Sequence, residues 1–280
     1  MTSAQALTYL TRRGLEVQLN CGALQRIWHG IYGHGEVTTA LRLRGLDLAA
    51  GTSVAVCMGT AAAAYGFDTE RTGDLHVLNP GGRQLRSTDG LIVHRRAGAP
   101  LAAVSGRSAT APSWTAIEVA RGLRPPRALA TLDAALRSGM GSRDELHQEL
   151  TRQSGRRGIV TARELLELAS VKAESPMESE TRLVMIDGGL PPPVLQHQIV
   201  DLRGRTWRLD FAWPDLRVAA EYDGVDWHSG PEAFLRDRRR AAALQDLGWV
   251  VVAIVAEDVR HRPGELVRRL EVRLEHARVA

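Results

Sequence analysis

Residues 205–228 read RTWRLDFAWPDLRVAAEYDGVDWH, and this stretch decides the fold class of the C-terminal third. It reads as a β-hairpin. In the first arm Leu209, Phe211 and Trp213 alternate with Arg208, Asp210 and Ala212; in the second, Val218, Ala220 and Tyr222 alternate with Ala219, Glu221 and Asp223. Residues two apart on a strand share a face, so Glu221 and Asp223 point together. A turn at Pro214-Asp215 sets Asp210 across from Ala219 and one diagonal step from Glu221. Three carboxylates then converge on the polar face of a sheet whose other face is buried. Such a cluster repels itself unless a cation neutralises it, and hard oxygen ligands suit Mg²⁺ or Mn²⁺. The expected chemistry is a metal-dependent phosphodiesterase site.

The elements around the hairpin complete an α/β domain over residues 172–280. Ser175, Pro176 and Glu178 form a capping-box start for a helix to Asp187. A strand over 194–201 precedes the hairpin, and a helix over 231–247 follows it. The run Val250–Val255 is continuously apolar, as in a strand covered on both faces, and a helix over 263–276 ends the domain. Helices on both sides of a mixed sheet predict a three-layer α/β/α core.

Upstream, residues 1–47 read as a winged-helix-like segment. Helices are expected over 4–12 and 15–20, with an alternating hairpin over 24–32 that turns at Gly30. Residues 48–171 read as a small mixed α/β domain. Its strands are expected at 53–58, 75–79 and 91–96, and its helices at 115–122, 126–138, 142–152 and 161–171. His76 and His94 read as isolated. The sequence-based division is therefore 1–47, 48–171 and 172–280.

Composition sets outer bounds. With 280 residues, 44% hydrophobic and 24% charged, the chain belongs with ordinary globular proteins. Its longest apolar run, Trp249–Ala256, is too short to span a bilayer. Cys21 and Cys57 are the only cysteines and lack metal-ligand spacing; reduced thiols in a cytoplasmic protein without a membrane partner are expected. Net charge is +4, and Lys172 is the only lysine. Almost every cation is thus a planar guanidinium suited to phosphate, which permits nucleic-acid binding without demanding it.

Two family resemblances follow from these motifs. The hairpin segment ALQRIWHGIYGHG with the helix before it resembles the N-terminal winged helix-turn-helix of AbiEi-type antitoxins, and TAPSWT at 110–115 extends that likeness. The resemblance implies DNA or a cognate toxin as partner. The helix GLEVQLN carries no arginine, so DNA contact and protein contact both stay open for this segment.

The second resemblance covers residues 172–280. It rests on SPMESE, RLDFAWP, AAEYDG, FLRDRRR and LGWVVV in that order, and is to the restriction-endonuclease-like superfamily with the PD-(D/E)XK site. More narrowly, it is to a Vsr-like branch of the "domain of unknown function 559" type. It implies Mg²⁺- or Mn²⁺-dependent cleavage of DNA, with Asp210 and Glu221 holding the metal and Glu178 either completing its shell or serving only its helix cap. Asp223 stands where the superfamily has its catalytic lysine. His228 would act as a base or position water, and Arg240 or protonated His228 would supply the missing cation. Asp237 would support Arg240, and Arg236, Arg239 and Arg240 would touch the DNA backbone. The alternative is a non-catalytic DNA-binding or antitoxin-like regulator on a degenerate nuclease fold.

Overall fold

The computed structural model describes residues 1–67, 73–81, 84–224 and 231–279, with the backbone alone for 231–234. The chain forms two compact units, Met1–Val119 and Ala120–Ala280. The boundary in space thus falls at Val119, whereas the expected segments end at 47 and 171.

The first unit runs α1 (Ser3–Tyr9), α2 (Arg12–Asn20), β1 (Gln25–Trp28), β2 (Ile31–Gly33), α3 (Thr39–Ala50), α4 (Met58–Tyr65), β3 (Leu75–Leu78), β4 (Leu91–His94), β5 (Leu101–Val104), β6 (Arg107–Thr110) and α5 (Pro112–Ala120). The wing is present: β1 and β2 pair antiparallel, and Thr2 bridges to Ile31. Ala6, Leu15, Leu24 and Tyr32 form its small core. The second helix differs from expectation. Thr11 accepts a hydrogen bond from the Gly14 amide and caps a helix that starts at Arg12, so exposed Arg12 and Arg13 belong to its first turn. The arginine-free helix expected from 15–20 is therefore corrected. Parallel β3–β4 and antiparallel β5–β6 are knitted together by Val56, which bridges to both Val77 and Ala109.

The second unit runs α6 (Pro125–Arg137), α7 (Arg143–Arg152), α8 (Ile159–Leu168), α9 (Pro176–Asp187), β7 (Val194–Val200), β8 (Thr206–Trp213), a 3₁₀ turn (Pro214–Leu216), β9 (Val218–Tyr222), α10 (Pro231–Asp246), β10 (Val250–Ile254), α11 (Ala256–Arg260) and α12 (Pro263–Val279). The sheet order is β10-β9-β8-β7, with β10 parallel to β9 and the other pairs antiparallel. On one face Phe211, Trp213, Val218, Ala220 and Ile254 pack with Met185 of α9 and Leu266, Leu270 and Leu274 of α12. On the other, Trp207, Leu209, Ala212 and Ala219 pack with Leu244 of α10. Helices therefore cover both faces of a mixed sheet. The expected full burial of β10 does not hold. It is an edge strand, and Val250 and Val251 are exposed. Among the described residues no helix is long and apolar enough to cross a membrane.

A buried ion pair fastens α6 to α9. The Arg182 guanidinium lies 2.6 Å from Asp133, whose carboxylate also accepts from the Ser170 amide at 2.7 Å, and the two side chains are 7% and 0% exposed. Removing one partner strands a buried charge, which costs about 3–5 kcal/mol. Asp133→Ala is therefore expected to lower the stability of the full chain by that amount in urea unfolding. A change below about 1 kcal/mol would show that the pair does not hold α6 to α9.

Candidate functional site

The acids converge where the sheet is irregular. Gln196 in the middle of β7 has φ +53°, a left-handed conformation disfavoured for a side chain with Cβ. Pairing between β7 and β8 steps from Leu195–Phe211 to His197–Leu209 and skips the Gln196–Asp210 level. Alternation inverts there: Trp207 and Leu209 face α10, whereas Phe211 and Trp213 face α9 and α12. The single apolar face expected for Leu209, Phe211 and Trp213 is therefore split between both layers. Strained backbone of this kind persists only where the surroundings hold it.

The hairpin register also differs. The connection spans Pro214–Arg217, with Arg217 left-handed at φ +48°, so Trp213 faces Val218 and Phe211 faces Ala220. Ala219 therefore faces Ala212 rather than Asp210, and Asp210 comes close enough to Glu221 for the two carboxylates to repel. A four-residue connection moves the register by two relative to a two-residue turn and brings the acids closer than expected. Asp210 Oδ2 accepts from the Tyr222 amide at 3.1 Å.

Glu178 reaches the same place from α9. Ser175 Oγ accepts from the Glu178 amide, as expected of a cap. The Glu178 carboxylate does not close the box onto Ser175; it accepts from the Glu174 amide and from Gln196 Nε2, both at 2.9 Å. Gln196 also hydrogen-bonds Asp210. It thus bridges the two acids, while its Oε1 is buried without a partner. Gln196 is the site residue that sequence reasoning missed. A lone glutamine in a strand gives no signal of positive φ; its place opposite Asp210 gives it away only once the sheet is assembled.

Arg240 of α10 answers the acids. Its guanidinium grips both oxygens of Glu221, and its Nη2 donates to the Arg208 carbonyl at 2.8 Å. Burial pushes the Glu178, Asp210 and Glu221 carboxyls up, Asp210 raises its two neighbours further, and Asp223 adds to Glu221. The hydrogen bonds to Glu221 hold Arg240 firmly protonated.

The other expected residues stand as follows. Asp223 is exposed at the end of β9, close enough to Glu221 to repel it. Asp237 is exposed and adds its field to Arg240, which has Glu221 as its ion-pair partner. Arg236 and Arg239 are exposed on α10. His228 lies outside the described residues. Among the described residues no group of three or more His, Cys, Asp or Glu could hold a metal ion. Among the described residues, Arg240 holds both oxygens of Glu221, so in this arrangement Glu221 is not a free ligand for Mg²⁺ or Mn²⁺.

The reading of His76 and His94 as isolated is corrected. Parallel pairing of β3 with β4 stacks their rings at 5.1 Å, with Nδ1 of His76 2.9 Å from Nε2 of His94. Burial lowers both, His94 to about 4, so the pair is neutral at physiological pH. Nearby, buried Glu118 is held by Arg96 and by the Trp114 indole, which ties β4 to α5.

Comparison with known proteins bears on the two units differently. A family model described as the AbiEi antitoxin C-terminal domain matches residues 54–168. The match supports the antitoxin resemblance for the middle of the chain and does not reach residues 172–280. Two Mycobacterium tuberculosis proteins are each 56% identical over 271 residues, spanning 97% of this chain and 100% of their own length. They are the uncharacterized protein MT2308 of strain CDC 1551 / Oshkosh and the uncharacterized protein Rv2248 of strain ATCC 25618 / H37Rv.

The raised Asp210 carboxyl gives a signed pH dependence. The folded state binds this proton more tightly than the unfolded chain, so its contribution is full below the ordinary carboxylate pKa and is lost as pH rises through the raised value. Asp210→Asn removes the charge at every pH. Its thermal midpoint is expected to exceed wild type by a margin that grows from about pH 4 to about pH 7. A margin that shrinks over that range would contradict the desolvated site.

Proposed function

The chain belongs to the family of these two mycobacterial proteins, and for it we propose an antitoxin-like regulator that binds DNA, its C-terminal sheet a nuclease-type fold with a blocked acid site. The observation that carries this reading is the grip of Arg240 on both oxygens of Glu221. A PD-(D/E)XK site needs its second acid free for metal and a lysine beside it; here an arginine occupies the acid and Asp223 takes the lysine's place. The antitoxin-domain match over 54–168 and the wing in the first unit support the same reading. A cognate toxin is the protein partner that fits it. The three-layer restriction-endonuclease-like, Vsr-related assignment of residues 172–280 is part of the proposal, and rests on the ordered motifs together with helices on both faces of the sheet.

A second reading, a Mg²⁺- or Mn²⁺-dependent DNA endonuclease, is favoured by one observation. Buried Glu178 and Asp210 repel each other across Gln196, whose Oε1 lacks a partner. For this reading to hold, Glu221 would have to exchange Arg240 for the metal.

The two readings separate in one assay. The regulator is expected to shift DNA equally well with and without excess EDTA, and to leave supercoiled plasmid intact in Mg²⁺ or Mn²⁺. Metal-dependent nicking by the wild type that disappears in Asp210→Ala and in Glu221→Ala would sink the regulator reading and establish the second.

A further inference from the structure

The tip joining β7 to β8 is built unlike a solvated loop. Its apex, Leu202, is 80% exposed, and Val200 beside it is 60% exposed. An apolar apex this open is expected to be mobile unless something fixes it, and here the turn is fixed from within. The Asp201 carboxylate accepts from the Arg203 and Arg205 amides, both at 2.9 Å, and from the Trp207 indole at 2.8 Å. The Asp201 amide donates to the Arg205 carbonyl at 2.8 Å, the Gly204 amide donates to the Asp201 carbonyl at 2.9 Å, and Gly204 supplies the required left-handed residue at φ +77°. These bonds hold the Asp201 carboxyl below the usual range, so the turn stays locked at neutral pH.

Arginines surround this rigid tip. The Arg205 guanidinium lies over the Trp207 ring, 4.2 Å from its centroid. Arg203 flanks the apex on the turn. Arg239 of α10 shares with them a cavity of about 370 Å³ floored by Trp207. Several arginines around the sheet are held by carboxylates: Arg208 by Glu174, Arg240 by Glu221, Arg260 by Glu180 and Arg269 by Asp258. Among the described residues Arg203, Arg205 and Arg239 make no ion pair. Asp246 lines the same cavity, but the first acid there, Asp201, is consumed by the turn itself.

We propose that this tip is a second DNA-contacting element: Arg203, Arg205 and Arg239 hold backbone phosphates, and Leu202 packs against the sugar and base edges between them. Planar forks match phosphate oxygens. An apolar apex flanked by arginines fits a nucleic-acid groove better than it fits water. The proposal rests on the DNA-binding reading above and adds to the wing a contact surface in the second unit.

The test is fluorescence anisotropy of the full chain with a labelled duplex of arbitrary sequence, of about 30 base pairs, titrated at salt concentrations from about 50 to 200 mM. Arg203→Ala combined with Arg239→Ala leaves the Arg205–Trp207 stack in place. This variant is expected to bind about tenfold more weakly and to lose about 2 from the slope of log affinity against log salt, close to 0.9 per phosphate contact. Leu202→Ser, at an exposed position, is expected to weaken binding with the slope unchanged. Matching circular-dichroism spectra and thermal midpoints confirm that the variants fold. If the wild type binds duplex and the variants match it in affinity and slope, the tip proposal fails while the DNA-binding reading stands. If the wild type binds no duplex, both fall. Poly-L-glutamate that binds the wild type and not the double variant, while both bind the duplex equally, would reassign the surface to an acidic protein and overturn the proposal.

Discussion

Asp210 and Glu221 lie on neighbouring antiparallel strands close enough to repel, and the second unit is organised around making that tolerable. Arg240 relieves the repulsion from α10 by gripping Glu221, and it reaches the Arg208 carbonyl on β8 as well. One guanidinium thus fastens a helix to two strands. The Leu244 packing against Trp207 and Leu209 sets the same helix from below.

The other half of the site is held by backbone strain. Gln196 adopts a conformation that disfavours its own side chain, and in doing so turns its amide toward Glu178 and Asp210 at once. The skipped pairing level inverts both strands. This lets one strand feed apolar residues to both helical layers while Asp210 occupies the break between them. A regular strand would have pointed Asp210 to one face and left Glu178, on a different helix, without a link to it. The irregularity and the site are therefore one feature.

The two units share the antitoxin-like region between them. The matched segment begins at residue 54 in the first unit and ends at 168 in the second, after α8. Within the second unit, the Asp133–Arg182 pair fixes α6, which lies inside that segment, to α9, which carries Glu178. The region that resembles an antitoxin is thereby joined to the C-terminal part of the unit, and a second pair, Arg127 of α6 with Glu180 of α9 at 3.0 Å, makes the same connection. This gives the acid cluster a structural scaffold whether or not it ever meets a metal.

The sequence by itself determined the elements, because they depend on local chemistry. Period-two alternation marked β8 and β9, Ser175 and Pro176 marked the start of α9, and the glycine turn at Gly30 marked the wing. It also picked out Glu178, Asp210, Glu221 and Arg240 as residues belonging together, through the order of motifs along the chain. The tertiary structure alone decided what those residues do to one another. Register depends on the length and handedness of the Pro214–Arg217 connection, and the inversion at Gln196 depends on a positive φ that no composition encodes. The pairing of His76 with His94 depends on two parallel strands meeting, and the partner of Arg240 depends on how α10 lies across the sheet. Local patterns fix which way a side chain points along its own element. Only the packing of distant elements fixes which charge it meets.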